Sequence, residues 1–122
     1  MEKLKCIYKD VAKKIAWFHI FYKNCGIQKG DKIAVCSRNQ ANWSVSFFSV
    51  ITYGAIVVPL LHEFKPANIH HLVNHSGTKI LFADSGIIDS LNFDEMPDLQ
   101  AIIKINPFSV AHYRGDVKNI FD

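Results

Sequence analysis

From Ala41 to Leu61 the chain carries no charged side chain, a stretch long enough to cross a bilayer as one helix. Three features inside it argue for another fold. Ser44, Ser46, Ser49 and Thr52 dilute its first half with hydroxyls, Gly54 is a natural helix stop, and Ala55-Ile56-Val57-Val58 turns β-branched before Pro59. The segment reads as a buried helix followed by a buried strand, both in a protein core. Met1 is followed by the charged run Glu2-Lys3-Leu4-Lys5 and not by an apolar stretch, so no signal peptide and no transmembrane segment are expected.

The same punctuation continues on either side. Leu4, Cys6 and Tyr8 alternate with Lys3, Lys5 and Lys9, a short edge-strand pattern. Val11, Ile15, Phe18, Tyr22 and Cys25 then advance by fours and threes, which places them on one helical stripe ending at Gly26. Lys29-Gly30-Asp31-Lys32 is a turn, in which Gly30 supplies positive φ and the Asp31 carboxylate accepts from nearby backbone N–H groups. Ile33-Ala34-Val35-Cys36 is a strand covered on both faces. Asn39 or Asn42 is suited to cap the next helix, with Trp43, Phe47, Val50 and Ile51 as its inward stripe. Pro66 suits the first turn of a third helix carrying Ile69, Leu72 and Val73 inward, with Gly77 as its stop. Lys79–Ala83 and Ala101–Ile105 are further strands, with a short helix through Leu91 capped by Asp84 or Ser85. Strands separated by helices need crossover connections, so the fold class is α/β: a mainly parallel sheet with helices on both faces. Residues 1–105 form one unit, and the pattern fades over an irregular segment, 106–122.

Net charge is +3, and the densest basic group, Lys9, Lys13 and Lys14, sits at helical spacing as a solvated face. A nucleic-acid partner is therefore not expected. The three cysteines, Cys6, Cys25 and Cys36, form no Cys-x-x-Cys pair, and Cys25 and Cys36 fall inside apolar patterns. Reduced, buried thiols in a cytoplasmic protein follow.

Open parallel sheets bind ligands at the carboxyl ends of their strands. Here those loops read Ser37-Arg38-Asn39-Gln40 and Pro59-Leu60-Leu61-His62-Glu63, and all six glycines are isolated. No stretch wraps successive backbone N–H groups around a phosphate in the manner of a P-loop or dinucleotide fingerprint. His71 and His75, four apart with His70 beside them, have a metal-holding spacing, but Leu72-Val73-Asn74 between them brings no acid, and a surface role is the simpler reading. His62-Glu63 lacks a nucleophile or orienting partner, and Arg38 is a single cation at a strand end. Trp17 and Trp43 follow helical stripes and read as core. No catalytic, cofactor-binding or metal-ligating residue is assigned.

Four segments, in order, carry a family resemblance. Gly26-Ile27-Gln28-Lys29-Gly30-Asp31-Lys32-Ile33-Ala34-Val35 resembles the G-[VI]-x-K-G-D-x-[VI]-A-[IV] signature of AMP-binding, adenylate-forming enzymes. Asn39 and Trp43 match that family's N-x-x-x-W helix. Tyr53-Gly54-Ala55-Ile56-Val57-Val58-Pro59-Leu60 is similar to x-G-A-x-x-V-P-L, and Asn74-His75-Ser76-Gly77-Thr78-Lys79-Ile80-Leu81-Phe82 to x-D-S-G-A-K-[VI]-[LI]-F. Within the family, Val58-Pro59-Leu60-Leu61-His62-Glu63-Phe64-Lys65-Pro66 resembles a passage of long-chain acyl-CoA synthetases, with Leu61 and His75 as departures.

The resemblance implies a partial N-terminal subdomain of the acyl-CoA synthetase fold. For a full-length parent it implies the conversion of fatty acid, ATP and CoA to acyl-CoA, AMP and pyrophosphate through an acyl-adenylate, with Mg²⁺. The family's Ser/Thr/Gly-rich pyrophosphate loop, its ribose-binding aspartate and its C-terminal lysine lie beyond the matched part, so this chain is expected to be a fragment, inert alone. Its partners would be the rest of the parent enzyme, with fatty acid and CoA as the parent's substrates. Exposed apolar surface and self-association of the fragment are also expected. The alternative is a free-standing flavodoxin-like binding or interaction module. Against it, Ser37-Arg38-Asn39 supplies no acidic residue for a receiver domain, and no phosphate loop serves a flavin.

Overall fold

The computed structural model describes residues 2–38, 40–105 and 108–113. Asn39 lies outside them, as do Asn106-Pro107 and the segment 114–122, and the side chains of Cys6 and Asn42 are likewise not described. The elements run α1 (Glu2–Asn24), β1 (Lys32–Cys36), α2 (Gln40–Tyr53), β2 (Ile56–Pro59), α3 (Pro66–Ser76), β3 (Ile80–Asp84), α4 (Ser85–Ser90), a single 3₁₀ turn at Phe93–Glu95, β4 (Ala101–Ile105) and β5 (Ser109–Tyr113).

The five strands form one sheet in the order β2-β1-β3-β4-β5, parallel except for β5. From β1 the chain moves outward to β2, then crosses back over β1 to β3. Right-handed crossovers in opposite directions put α2 and α3 on opposite faces of the sheet. The strand side chains sort accordingly. Ile33, Val35, Ile80, Phe82, Ala101, Ile103 and Ile105 pack under α1 and α2 with Phe18, Phe21, Tyr22 and Val50. Ala34, Cys36, Leu81, Ala83 and Ile102 pack under α3 and α4 with Ile69, Val73, Ile88, Met96 and Leu99. Each large side chain so buried contributes about 1.5–3 kcal/mol.

The amino ends of the strands are drawn together by turns. Gly30 and Gly54 both adopt positive φ, 87° and 97°, and the Gly30 N–H donates to the Gly54 carbonyl at 3.0 Å. The Asp31 carboxylate accepts from Gln28 N at 2.9 Å, and Asp31 O accepts from Ile56 N at 2.8 Å. Gly77, at φ 72°, caps α3 and returns its N–H to Asn74 O, while Pro66 opens the same helix.

Four expectations are corrected. The alternating Leu4–Tyr8 region is not a strand but the start of α1, because Glu, Lys, Leu and Ala favour helix and the amphipathic turns that follow propagate backward through it. The inward face of α2 is Ser46, Ser49 and Val50, fully buried, whereas Phe47 is half-buried and Ile51 is 43% exposed. β2 is an edge strand with Ile56 49% exposed, not a buried one. Residues 109–113 add an antiparallel strand, with a register shift opposite Ile102 and Ile103, within the segment expected to be irregular.

The buried serines are satisfied internally. Ser49 Oγ donates to Ser46 O at 2.7 Å, so its lone pair accepts from Tyr22 Oη at 2.6 Å. His19 Nε2 donates to Ser49 O at 3.1 Å and lies 3.0 Å from Thr52 Oγ1. This chain of hydrogen bonds joins α1 to α2 and explains how a helix rich in hydroxyls is buried without penalty.

At the β2 edge, Ile56 N and Leu60 N donate to Asp31 O and Val35 O of the β1 side. The intervening alternation turns Val57 and Pro59 away from β1, and proline has no N–H. Lys13 Nζ and Lys14 Nζ lie over the rings of Trp17 and Phe108, at 5.4 and 5.8 Å, so part of the basic face of α1 covers aromatic surface. No helix among the described residues is long and apolar enough to cross a membrane.

Candidate functional site

The strand order reverses between β1 and β3, and the carboxyl ends of these two strands are where an open α/β sheet offers a crevice. Cys36-Ser37-Arg38 leaves β1 and Asp84 ends β3 at that place. Asp84 occupies the N-cap position of α4, but its side chain makes no cap bond. Oδ1 accepts from Ser37 Oγ at 2.9 Å and Oδ2 from the Arg38 N–H at 2.8 Å. The carboxylate thus fastens the loop after β1 to the end of β3, and it occupies a backbone N–H that a phosphate-binding loop would offer to its ligand. The Arg38 side chain is exposed.

Beneath this clasp lies the Cys36 thiol, fully buried, 3.5 Å from Leu61 O. Burial, with the Asp84 charge adding to it, pushes the thiol up to about 11. Cys25 is pushed up to about 12 by burial, and burial likewise raises the Tyr22 phenol, against a smaller opposing effect of its Ser49 hydrogen bond. Both thiols are free, and burial favours their protonated form at neutral pH. Alkaline stability should follow from this. Below the ordinary thiol value of 9.0 folded and unfolded chains hold the same protons. From 9.0 towards 11 the unfolded chain loses the Cys36 proton while the folded chain keeps it, so stability falls, by at most about 1.4 kcal/mol per pH unit for this group. Urea unfolding across that window should show the slope, and Cys36→Ala should reduce it by the Cys36 share, leaving that of Cys25.

The other candidates are dispersed. His62 Nε2 is 3.8 Å from Glu63 Oε1, with the Glu63 side chain largely in solvent, too long a separation for direct proton transfer. His70, which the sequence only places beside the His71–His75 pair, has a carboxylate partner: its Nδ1 is 3.1 Å from Glu95 Oε2. This resembles an acid–base dyad, but Nε2 accepts the Asn92 N–H at 3.0 Å, so the nitrogen that would act as base is occupied. Asn74 Nδ2 adds a bond to Glu95 O at 2.8 Å, and the set clamps α3 to the 3₁₀ turn. Trp43 and Trp17 are half-buried, Trp43 stacked on Phe47 at 5.2 Å and packed against the core. Among the described residues no three His, Cys, Asp or Glu side chains gather around one point.

The glycine turns of three motif segments lie at the other end of the sheet. The turns holding Gly30, Gly54 and Gly77 all precede strands, at the end opposite Asp84. They set strand starts and register.

The family model for the AMP-binding enzyme matches residues 8–118. The chain belongs to the AMP-binding enzyme family. Among curated members it is similar to 4-hydroxybutyrate–CoA ligase 2 of Metallosphaera sedula, 32% identical over 66 residues that cover 54% of this chain and 12% of the relative. It is also similar to long-chain-fatty-acid–CoA ligase 6 of Rattus norvegicus, 23% identical over 111 residues, 85% of this chain and 16% of that protein. The chain therefore spans less than a fifth of the length of these relatives. The structure of the anthranilate–CoA ligase AuaEII with anthranoyl-AMP superposes with a TM-score of 0.73 at 19% identity, covering 80% of this chain and 19% of that one. The mostly parallel sheet with its two helix layers is the N-terminal subdomain of the adenylate-forming ligase fold.

Proposed function

We propose that this member of the AMP-binding family is the amino-terminal part of an ATP-dependent acyl-CoA ligase whose preferred acid is a long-chain fatty acid. The observation that carries the proposal is the family match across 8–118, on a sheet whose turns hold the matched motifs in place. The finer choice of acid is supported by the breadth of the match to the rat long-chain ligase, 85% of this chain, and by the passage from Val58 to Pro66. In this reading residues 1–105 are the subdomain proper and 106–122 lead toward the remainder, β5 being their first sheet-bound step.

ATP, Mg²⁺ and CoA belong to the whole enzyme. The described residues do not fit these groups: no three ligating side chains among them converge, and the Arg38 N–H at the sheet's crevice is held by Asp84. No step of the reaction is assigned to the described residues. Its own contribution is a rigid wall, with Asp84 fixing the loop at the crevice. The reduced thiols support a cytoplasmic setting. Exposed Phe48, Ile51, Ile56 and Leu61 support association of the isolated chain with itself, and a strict monomer in sedimentation at high concentration would overturn that part.

The deciding experiment extends the reading frame beyond Asp122 and assays the product for acyl-CoA formation. A ligase that prefers a long-chain fatty acid over 4-hydroxybutyrate is the expected result, with no pyrophosphate release by the 122-residue chain alone. A stop codon at that point, or activity of the short chain, overturns the proposal. A free-standing flavodoxin-like module shares the doubly wound order, but the family match points away from it.

A further inference from the structure

Three histidines lie in the middle and last turns of α3, and the fold treats them differently. His70 is held between Glu95 and the Asn92 N–H. His71 and His75 are both exposed, and among the described residues neither ring makes a hydrogen bond or ion pair. Their rings lie face to face, centroids 5.9 Å apart and planes 13° from parallel.

We propose that His71 and His75 form a two-point site for a divalent transition ion of the Ni²⁺, Cu²⁺ or Zn²⁺ class on the outer face of α3. Residues four apart on a helix share one face, and imidazole nitrogens are the ligands these ions prefer. A bridging ion asks for rotation about the two side chains, to place one nitrogen of each ring at the metal–nitrogen distance of about 2.0–2.1 Å. His75 lies in the last turn, at the helix end where the carbonyl dipoles carry negative partial charge and favour a cation. No third ligating side chain among the described residues joins the pair, so water completes the coordination sphere. The site is an open clip across one helical turn, of modest affinity. It is independent of the ligase reading, because His75 is itself a departure from the family pattern.

The test is calorimetric titration of the full chain with Ni²⁺ alone. One binding event is expected, weakened at least tenfold by His71→Gln or His75→Gln and unchanged by His62→Gln. Thermal melts should shift upward with Ni²⁺ in the unaltered chain and not in the two α3 variants. Proton spectra of the unaltered chain keep the test free of any folding defect in the variants: paramagnetic Ni²⁺ should broaden the ring signals of His71 and His75 before those of the other histidines. Unchanged affinity in both α3 variants, loss in His62→Gln, or first broadening at another histidine would overturn the proposal.

Discussion

Phe18→Ala should cost about 3–5 kcal/mol, the largest effect expected of any single truncation in this chain. Phe18 is fully buried, and its ring meets Phe82 at 5.2 Å and Phe108 at 4.9 Å, both edge-on, with Tyr22 stacked at 6.3 Å. It is the point where α1, β3 and the approach to β5 touch, so its loss leaves a cavity bordered by three elements that cannot all close on it. Since domains commonly hold only about 5–15 kcal/mol in total, the variant should be partly unfolded in dilute urea. Phe18→Leu, which refills most of the volume, should recover a good share of the loss. The urea midpoint checks both, and an alanine variant within about 1 kcal/mol of the parent would show that α1 is not integral to the core.

The second large effect is expected at Asp84. Alanine removes the acceptor of two hydrogen bonds, from Ser37 Oγ and the Arg38 N–H, and hydrogen bonds to a charged group are worth about 1.5–3 kcal/mol each. Because this end of the sheet is partly open, water takes up some of the demand, and a total near the lower end is expected. Asp84→Asn should restore only part, since its amide presents a donor where one of the two existing donors points. A second readout separates this clasp from mere stability. The Asp84 charge helps hold the Cys36 proton, so alkylation of that thiol at mildly alkaline pH should accelerate in Asp84→Ala and little in a surface control such as Asp98→Ala. Equal rates would mean that burial alone governs the thiol.

Much of this architecture is legible in the residues, and the failures have physical causes. Gly26, Gly54, Gly77 and Pro66 mark helix ends and starts because backbone conformation is a local property. The inward face of α2 is not local: Ser46 and Ser49 are polar in any count of side chains, and the burial of Ser49 depends in part on the hydroxyl of Tyr22 on another helix. The continuous apolar run at β2 identifies a strand without telling an edge from a centre, since the neighbours that decide this come from strand order. β5 is set by pairing with β4, which no short window over Ser109–Tyr113 contains. At the crevice, Arg38 and Asp84 are each visible as residues at element ends, but 46 positions separate them, and their meeting depends on β3 lying next to β1.

Pro59 has a consequence for how such a chain behaves when crowded. A newly arriving strand at β2 would find a single backbone donor, Val57, where regular pairing needs a row of them. Any cross-β growth seeded there should stall after one rung, whatever the stickiness of Ile56 beside it. Association through the β2 edge should therefore be amorphous and reversible, held by side chains, and should not bind dyes that report amyloid ladders.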